Sequence, residues 1–422
     1  MSRFLFRRLG IDQVRSLGRR ATDPEVLSRA VAIVEDVRTN GEDALRAHAE
    51  RLGDLASGDP LVFGRDALTD ALDSIPTEQR ALLERTAERI RSFARAQRSV
   101  LGSLEVALPG GAAGHSVVPV ERAGCYAPGG RFPLPSSVLM TALTAATAGV
   151  NCIWIASPRP ARITLAAAGL AGATGLLAVG GAQAIAALAY GAGPIPACDA
   201  VVGPGNRWVT AAKQLVSGRV AIDMLAGPSE LVVVADGSSD PNVVAADLIA
   251  QAEHDPDAWP VLISLDVELI DRVERRLEER LIGLPTAESA RAALENGFAV
   301  FVTSPTEAIG VCDCLAPEHL ELCIEGAKDM ASRLNHYGAL FIGAGAAEVL
   351  ADYGAGPNHV LPTGGTARFT GGLSVSTFLR TRTWLRIDDL ESVQPLVSDA
   401  AAFARLEGLE AHARAAELRQ VG

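Results

Sequence analysis

The chain of 422 residues carries seven histidines: His48, His115, His254, His319, His336, His359 and His412. Several stand beside groups able to hold a metal or move a proton. In QAEHD (251–255), Gln251 and His254 are three apart at the end of a helical pattern, so they share a face and could both reach one ion. The same histidine would equally suit a helix C-terminus, where the backbone dipole attracts a cation. In APEHLEL (316–322), Glu318 and His319 are adjacent. Neighbours diverge on a helix, but in a loop or at a helix start both could line one cleft as proton-transfer groups. A helix-start carboxylate beside a surface histidine is the plainer alternative. ADYGAGPNHVLPTGG (351–365) sets Asp352, Asn358 and His359 in a Gly/Pro-rich stretch, which suits a binding loop or a connector equally. Glu407 and His412, in LEGLEAHARAAELR, are five apart and fall roughly on opposite sides of an ideal helix, which reads as solvated surface.

Two glycine segments, GGAQAIA (180–186) and VVGPGNRWV (201–209), each follow a strand pattern and open a helix, where backbone N–H groups could meet a phosphate. Neither is G-x-G-x-x-G, and no G-x-S-x-G nucleophile elbow occurs, so the residues alone establish an anion site at most.

These groups need a scaffold, and the composition supplies one. Hydrophobic residues make up 48% of the chain, enough for two or more cored domains. A net charge of −12 without a Lys/Arg stripe argues against nucleic acid. The six cysteines show no C-x-x-C spacing, so free thiols in a reducing cytoplasm are expected. The start, MSRFLFRRLG, lacks a signal peptide's apolar core. Residues 163–198 contain no charged residue, yet they are Ala- and Gly-rich, so helix, strand (Gly175–Val179) and helix (Ala182–Ala189) on a sheet is expected in place of a membrane span.

Residues 21–100 read as helical, with an N-cap at Thr22 or Asp23, a turn at Asn40-Gly41 and a second run from Pro76 to Ser99. Short β segments follow from Val106. Two α/β blocks then alternate apolar strands (NCIWIAS, GLLAV, DAVVG; ELVVVAD, PVLISL, GFAVFV, ALFIG) with helices, the pattern of parallel sheets covered on both faces. From Ser374 a helical, polar tail is expected.

Taken in order, YAPGGRFPLPSSVLM, GGAQAIAALAYG, VVGPGN, IDMLAGPSE, QAEH, APEHLE, NHVLPT and EGLEAH resemble the histidinol dehydrogenase family over roughly residues 20 to 420. The resemblance implies an α/β fold of two Rossmann-like domains, similar to aldehyde dehydrogenases, with a small N-terminal helical segment (1–22) and a C-terminal helical tail (374–422). Residues 126–230 would form the NAD-binding domain. Residues 23–125 and 231–373 would form a discontinuous domain carrying most zinc and catalytic residues. Position by position, it implies zinc on Gln251, His254, Asp352 and His412, and catalysis by Glu318 and His319. It implies NAD contacts at Tyr126, Gln183 and Asn206. Substrate contacts would come from Ser229, His359 and Glu407, together with Gln251, His254, His319, Asp352 and His412. It implies a zinc- and NAD-dependent, four-electron oxidation of L-histidinol to L-histidine in a cytoplasmic homodimer, whose tails cross to complete the partner's site.

Some positions depart from the family pattern: Asp255 follows QAEH where Gly is common, and Ala156-Ser157-Pro158 stands where many members have C-S-P. The missing thiol favours direct attack of water on the aldehyde. The alternatives are a paralogue acting on another polar alcohol such as sulfopropanediol, with Arg368 or Arg380 reading the sulfonate, and a non-catalytic binding protein of the same fold. Glu407 would attract an amine and repel a sulfonate, which favours histidinol. Imidazole and carboxylate ligands would also accept manganese or cobalt.

Overall fold

A computed structural model describes residues 6–17, 24–129 and 132–421. Its strands, numbered along the chain, form three sheets. The first has the order β2 (Val62–Gly64), β7 (Gly175–Leu177), β6 (Cys152–Ala156), β5 (Arg122–Tyr126), β8 (Ala200–Val202) and β9 (Ala221–Ile222). All its pairings are parallel except that of β2 with β7. The second is parallel throughout: β1 (Arg7–Arg8), β12 (Phe298–Phe301), β11 (Trp259–Ser264), β10 (Glu230–Ala235), β13 (His319–Cys323) and β14 (Ala339–Ile342). The third is an antiparallel ribbon of β15 (Leu379–Ile387), β4 (Gly111–Pro119) and β3 (Leu104–Leu108).

The apolar strands form where expected because a strand covered on both faces needs unbroken hydrophobicity. Every residue of β10, ELVVVA, is buried. The uncharged stretch 163–198 is a helix, β7 and a second helix, Gly181–Tyr190, whose small side chains let it lie close on the sheet. Among the described residues, no helix is long and apolar enough to cross a membrane. All six cysteines are unpaired.

Several expectations need correction. The helix Pro24–Arg51 is broken at Gly41 (φ 58°, ψ −129°), as the Asn40-Gly41 turn requires, while Thr22 and Asp23 lie outside the described residues. Residues 24–125 pack mainly on the first sheet, touching 231–373 at a few points such as Arg89 with the Gly354 carbonyl. Their helices share two cores with the first sheet: Leu83, Ile90, Val138 and Ile155 in one, and Val34, Leu45, Ile185 and Val209 in the other. β2 adds an edge to that sheet. Amphipathic periodicity marks a face for burial but not its partner, so the spacing of these helices does not say which sheet they cover. The N-terminal segment holds one short helix, Ile11–Arg15, and also lends β1 to the second sheet. The tail opens with a 3-10 turn, Val375–Phe378, and then β15, a strand of nine residues, before the helices Gln394–Leu406 and Glu410–Glu417. Finally, APEHLEL is not a helix start: residues 316–318 form a short loop that leads directly into a strand. The helix Pro305–Leu315 ends at Ala316 in the left-handed region (φ 45°), and β13 begins at His319.

The chain passes from β9 in the first sheet to β10 in the second through residues 223–229 alone, with no intervening helix. The N-terminal edge of the second sheet thereby sits beside the segment that leaves the first.

Candidate active site

Glu318 and His319 stand where β13 starts, alongside the start of β10, with Leu231 in register with His319. The backbone of Glu230 fixes both. Its N–H donates to Glu318 Oε2 at 2.9 Å, and its carbonyl lies 3.0 Å from His319 Nδ1. A carbonyl only accepts, so Nδ1 carries the proton and a neutral ring presents Nε2 as a base. Nε2 is buried without a partner among the described residues. Burial pushes the imidazole down to about 3, against the bond from Glu230, and the neighbouring His254 and His359 lower it further. The ring is therefore neutral near pH 7.

Next to this pair is a group of metal-ligand type. Ligand atoms of His254, Glu348 and Asp352 all lie within 4.8 Å of one another, and His254 Nε2 is 4.0 Å from Asp352 Oδ2. Gln251, fully buried on the helix Pro241–Ala252, donates its amide to Glu348 at 2.7 and 2.9 Å, with the amide nitrogen turned to that carboxyl. Burial raises Asp352 to about 6, against the pull of His254. Glu348 is raised well above the carboxylate range by burial, then by Asp352, Glu318 and Glu321. Acidic groups crowded beneath the exposed His254 favour a cation, and oxygen and nitrogen donors at this separation fit a zinc ion. Glu348 was not read from the sequence, although it lies four residues before Asp352 on the helix Glu348–Asp352, on one face.

His359 bridges the two halves of the molecule. Its Nδ1 meets the Asp352 carbonyl at 3.1 Å, and its Nε2 meets Ser137 Oγ, on the helix Pro135–Ala148, at 3.5 Å. Burial pushes this imidazole down to about 4. Ser229 immediately precedes β10, and its carbonyl accepts from Trp259 N–H at 2.9 Å. His412 and Glu407 are not brought to this group within the chain. Both are exposed, on the two terminal helices, and they line one hollow with Phe403 and Leu409. A left-handed turn at Gly408 (φ 74°) separates them, so the opposite-sides expectation for a single helix does not apply.

The expected cofactor residues gather at the C-terminal edge of the first sheet. Tyr126 ends β5; its hydroxyl accepts from Gly181 N–H at 3.2 Å, and burial pushes it up to about 12. Gln183 is buried with Oε1 unpartnered, and its Nε2 donates to Asp54 Oδ2 at 3.4 Å. The same oxygen accepts from Gly180 N–H at 2.9 Å, so Asp54 occupies the start of the helix Gly181–Tyr190. Asn206 caps the helix Arg207–Val216, accepting from Trp208 and Val209 N–H. Gly203 N–H donates to Asp223 Oδ2 at 2.7 Å, and Lys213, paired with Asp223, donates to Gly203 O at 3.0 Å. Some of the N–H donors of both glycine segments are thus engaged internally, by Asp54, Tyr126, Asn206 and Asp223. Gly203 (φ 118°) serves a different end, since a Cβ there would lie 2.0 Å from the Tyr126 carbonyl oxygen.

The histidinol dehydrogenase family model matches residues 18–420. A histidinol dehydrogenase of Thermus thermophilus is 44% identical over 400 residues, covering 94% of this chain and 95% of its own. The chain belongs to the histidinol dehydrogenase family. It is thereby an oxidoreductase of histidine biosynthesis. A relative of that name from Acinetobacter baylyi is also 44% identical, over 94% of both chains. The crystal structure of histidinol dehydrogenase from Elizabethkingia anophelis matches the fold with a TM-score of 0.91 at 29% identity, covering 99% of each chain. An acetylating aldehyde dehydrogenase from Geobacillus thermoglucosidasius shares the fold alone, with a TM-score of 0.51 at 14% identity, over 89% of this chain and 93% of its own. The arginines considered for a sulfonate are both exposed and bonded to backbone carbonyls, Arg368 to Cys314 and Arg380 to Pro119.

Proposed function

We propose that this histidinol dehydrogenase oxidises L-histidinol through L-histidinaldehyde to L-histidine, reducing two NAD per turnover. The observation that carries the reading is the buried His319 Nε2, held neutral and without a partner beside the His254, Glu348 and Asp352 group. In this reading Nε2 accepts the alcohol proton as hydride leaves the carbon, because Nδ1 is committed to the Glu230 carbonyl. Glu318, its carboxyl anchored by Glu230 N–H, takes a proton from the water that adds to the aldehyde. No cysteine stands at Ala156 to form a thioester in its place. NAD, when bound, would supply the hydride acceptor, and Tyr126, Gln183 and Asn206 would hold it.

Gln251, His254 and Asp352 would hold zinc with His412 of the partner subunit. The metal, when bound, would anchor the substrate's imidazole and amine and fix the carbinol carbon. Ser229, His359 and Glu407 of the partner subunit complete substrate binding, the last by attracting the amine. A homodimer is supported by the terminal helices, where Phe403 and Leu406 are 64% and 83% exposed next to the hollow that holds His412. Six unpaired cysteines suit a reducing cytoplasm.

The test is the NADH formed per alcohol consumed, with L-histidinol and sulfopropanediol at equal concentration. Two NADH per histidinol is expected, with little turnover of the sulfonate. No turnover of histidinol, or a ratio near one, overturns the reading.

A further inference from the structure

Asp54 plays no part in the chemistry above, yet its carboxylate touches the cofactor side of the site. It lies just past the helix Pro24–Arg51, and its Oδ2 collects Gly180 N–H and the Gln183 amide. Its Oδ1 has no hydrogen-bond partner among the described residues. Gln183 Oε1 is likewise unpartnered, on a side chain 1% exposed. Tyr126 hydroxyl closes the same turn from β5.

This arrangement constrains what binds there. A carboxylate already fills the helix start where a diphosphate would otherwise sit, so a phosphate would meet a like charge. A sugar diol, by contrast, can donate to Asp54 Oδ1 and to Gln183 Oε1. The position fits the far end of a dinucleotide. Substrate groups reach the first sheet at Ser137, which follows β5, whereas Asp54 lies at the end of β7, two strands away in the order β7-β6-β5. A cleft lined by Gly129, Phe132, Pro158, Arg159 and Thr164 lies between the loops that follow β5 and β6. Pro158 abuts Gly180, and the charge of Arg159 acts on Asp54.

We infer that Asp54 is the residue that selects NAD over NADP, accepting the adenosine ribose diol and excluding a 2′-phosphate. The inference rests on the proposed NAD-dependent reading of the site. Arg159 sharpens it: the charge of Asp54 offsets the pull of the guanidinium on a phosphate, and without that charge the guanidinium would favour one.

The experiment compares kcat/KM for NAD and NADP, with histidinol, in the wild type, Asp54→Asn and Asp54→Ser. Asn can still accept Gly180 N–H, so the turn is retained while the charge is lost. The NAD/NADP ratio is expected to fall at least about tenfold in both variants, the scale of removing one like-charge clash. In the wild type, 2′-deoxy-NAD should show a several-fold higher KM than NAD, a measurement that needs no variant to fold. A wild type that uses NADP as well as NAD, an unchanged ratio in Asp54→Asn, or equal KM values for NAD and its 2′-deoxy analogue each overturn the assignment. If neither dinucleotide is reduced by the wild type, the NAD reading itself has failed.

Discussion

Glu321 offers a direct test of the electrostatics beneath the site. It lies on β13 two residues beyond His319, fully buried, with Oε1 accepting Glu348 N–H at 2.7 Å. Burial, and then the adjacent Asp247, push its carboxyl up to about 8 from an ordinary 4.5. A folded value above the unfolded one means that the native state holds the extra proton between pH 4.5 and 8. Stability is therefore lost as pH rises through that window. Each unit of displacement is worth about 1.4 kcal/mol, so ionisation at pH 8.5 costs a ceiling of about 5 kcal/mol, and at pH 7 about 3. Asp247 shares the proton, so Glu321→Gln should gain on the order of 2 kcal/mol at neutral pH. The new amide can keep the Glu348 N–H bond through its oxygen and donate to Asp247 through its nitrogen. His319 and His359 act in the opposite sense, since values of about 3 and about 4 remove stability only as pH falls below an ordinary 6.5. Urea unfolding of chelator-treated protein between pH 6.5 and 8.5 reads the carboxyl as a difference between wild type and variant, because the raised Glu348 and Asp352 are present in both. The wild type should weaken more steeply across that range than Glu321→Gln, which ends more stable. A variant with the wild-type slope, or one less stable at pH 8.5, would refute the reasoning.

Three further outcomes are expected. Glu318→Gln should lower acid formation by about 100-fold or more while aldehyde accumulates, moving NADH per histidinol from two toward one; chromatography of the products decides, and unaltered acid formation contradicts the role. His319→Ala and His412→Ala should each be nearly inactive. Refolding them together should restore about a quarter of wild-type activity, because half the dimers are mixed and each mixed dimer holds one intact site; no recovery excludes a shared site. Lys213→Met, which strands the buried Asp223 carboxylate under the Gly203 loop, should cost about 3–5 kcal/mol in urea unfolding, and Lys213→Met/Asp223→Leu should cost less than the single variant; equal losses would show that the pair is not coupled.

The parts of the fold that sequence made legible are those governed by local rules. Apolar runs such as ELVVVA and CIWIA mark strands because both faces of a parallel sheet are dry. Gln251 and His254 could be paired because three residues make most of a helical turn. What failed depends on distant partners. LRTRTWLRI shows no strand signal, since both of its faces are largely exposed and its order comes from pairing with β4. Glu318 and His319 gain their meaning from the backbone of Glu230, 88 and 89 positions away. Glu348 was hidden in a helix of five residues, too short to declare a periodicity. Asp54 gave no signal at all, because its partner Gly180 is 126 positions away. For the tail, Gly408 was the available clue: a glycine between Glu407 and His412 marks a turn, and the five-residue spacing should not have been read along one helix.

The strand pairings also imply an order of assembly during synthesis. All six strands of the first sheet have been made once residue 222 leaves the ribosome, so that half can close early. The second sheet must wait, because its edge strand β1 was made first and its neighbour β12 comes late; Arg7 finds the Gly297 carbonyl across 290 positions. The tail is fastened later still, Arg380 reaching the Pro119 carbonyl across 261 positions. Closing loops of this length is slow, and until they close, β12 and β4 present bare edges to other nascent chains. Both ends of the chain thus act as the last fasteners of a body whose interior is already built. Fusions or trims at either end should show first as lost yield on refolding, before any change in the chemistry of the finished enzyme.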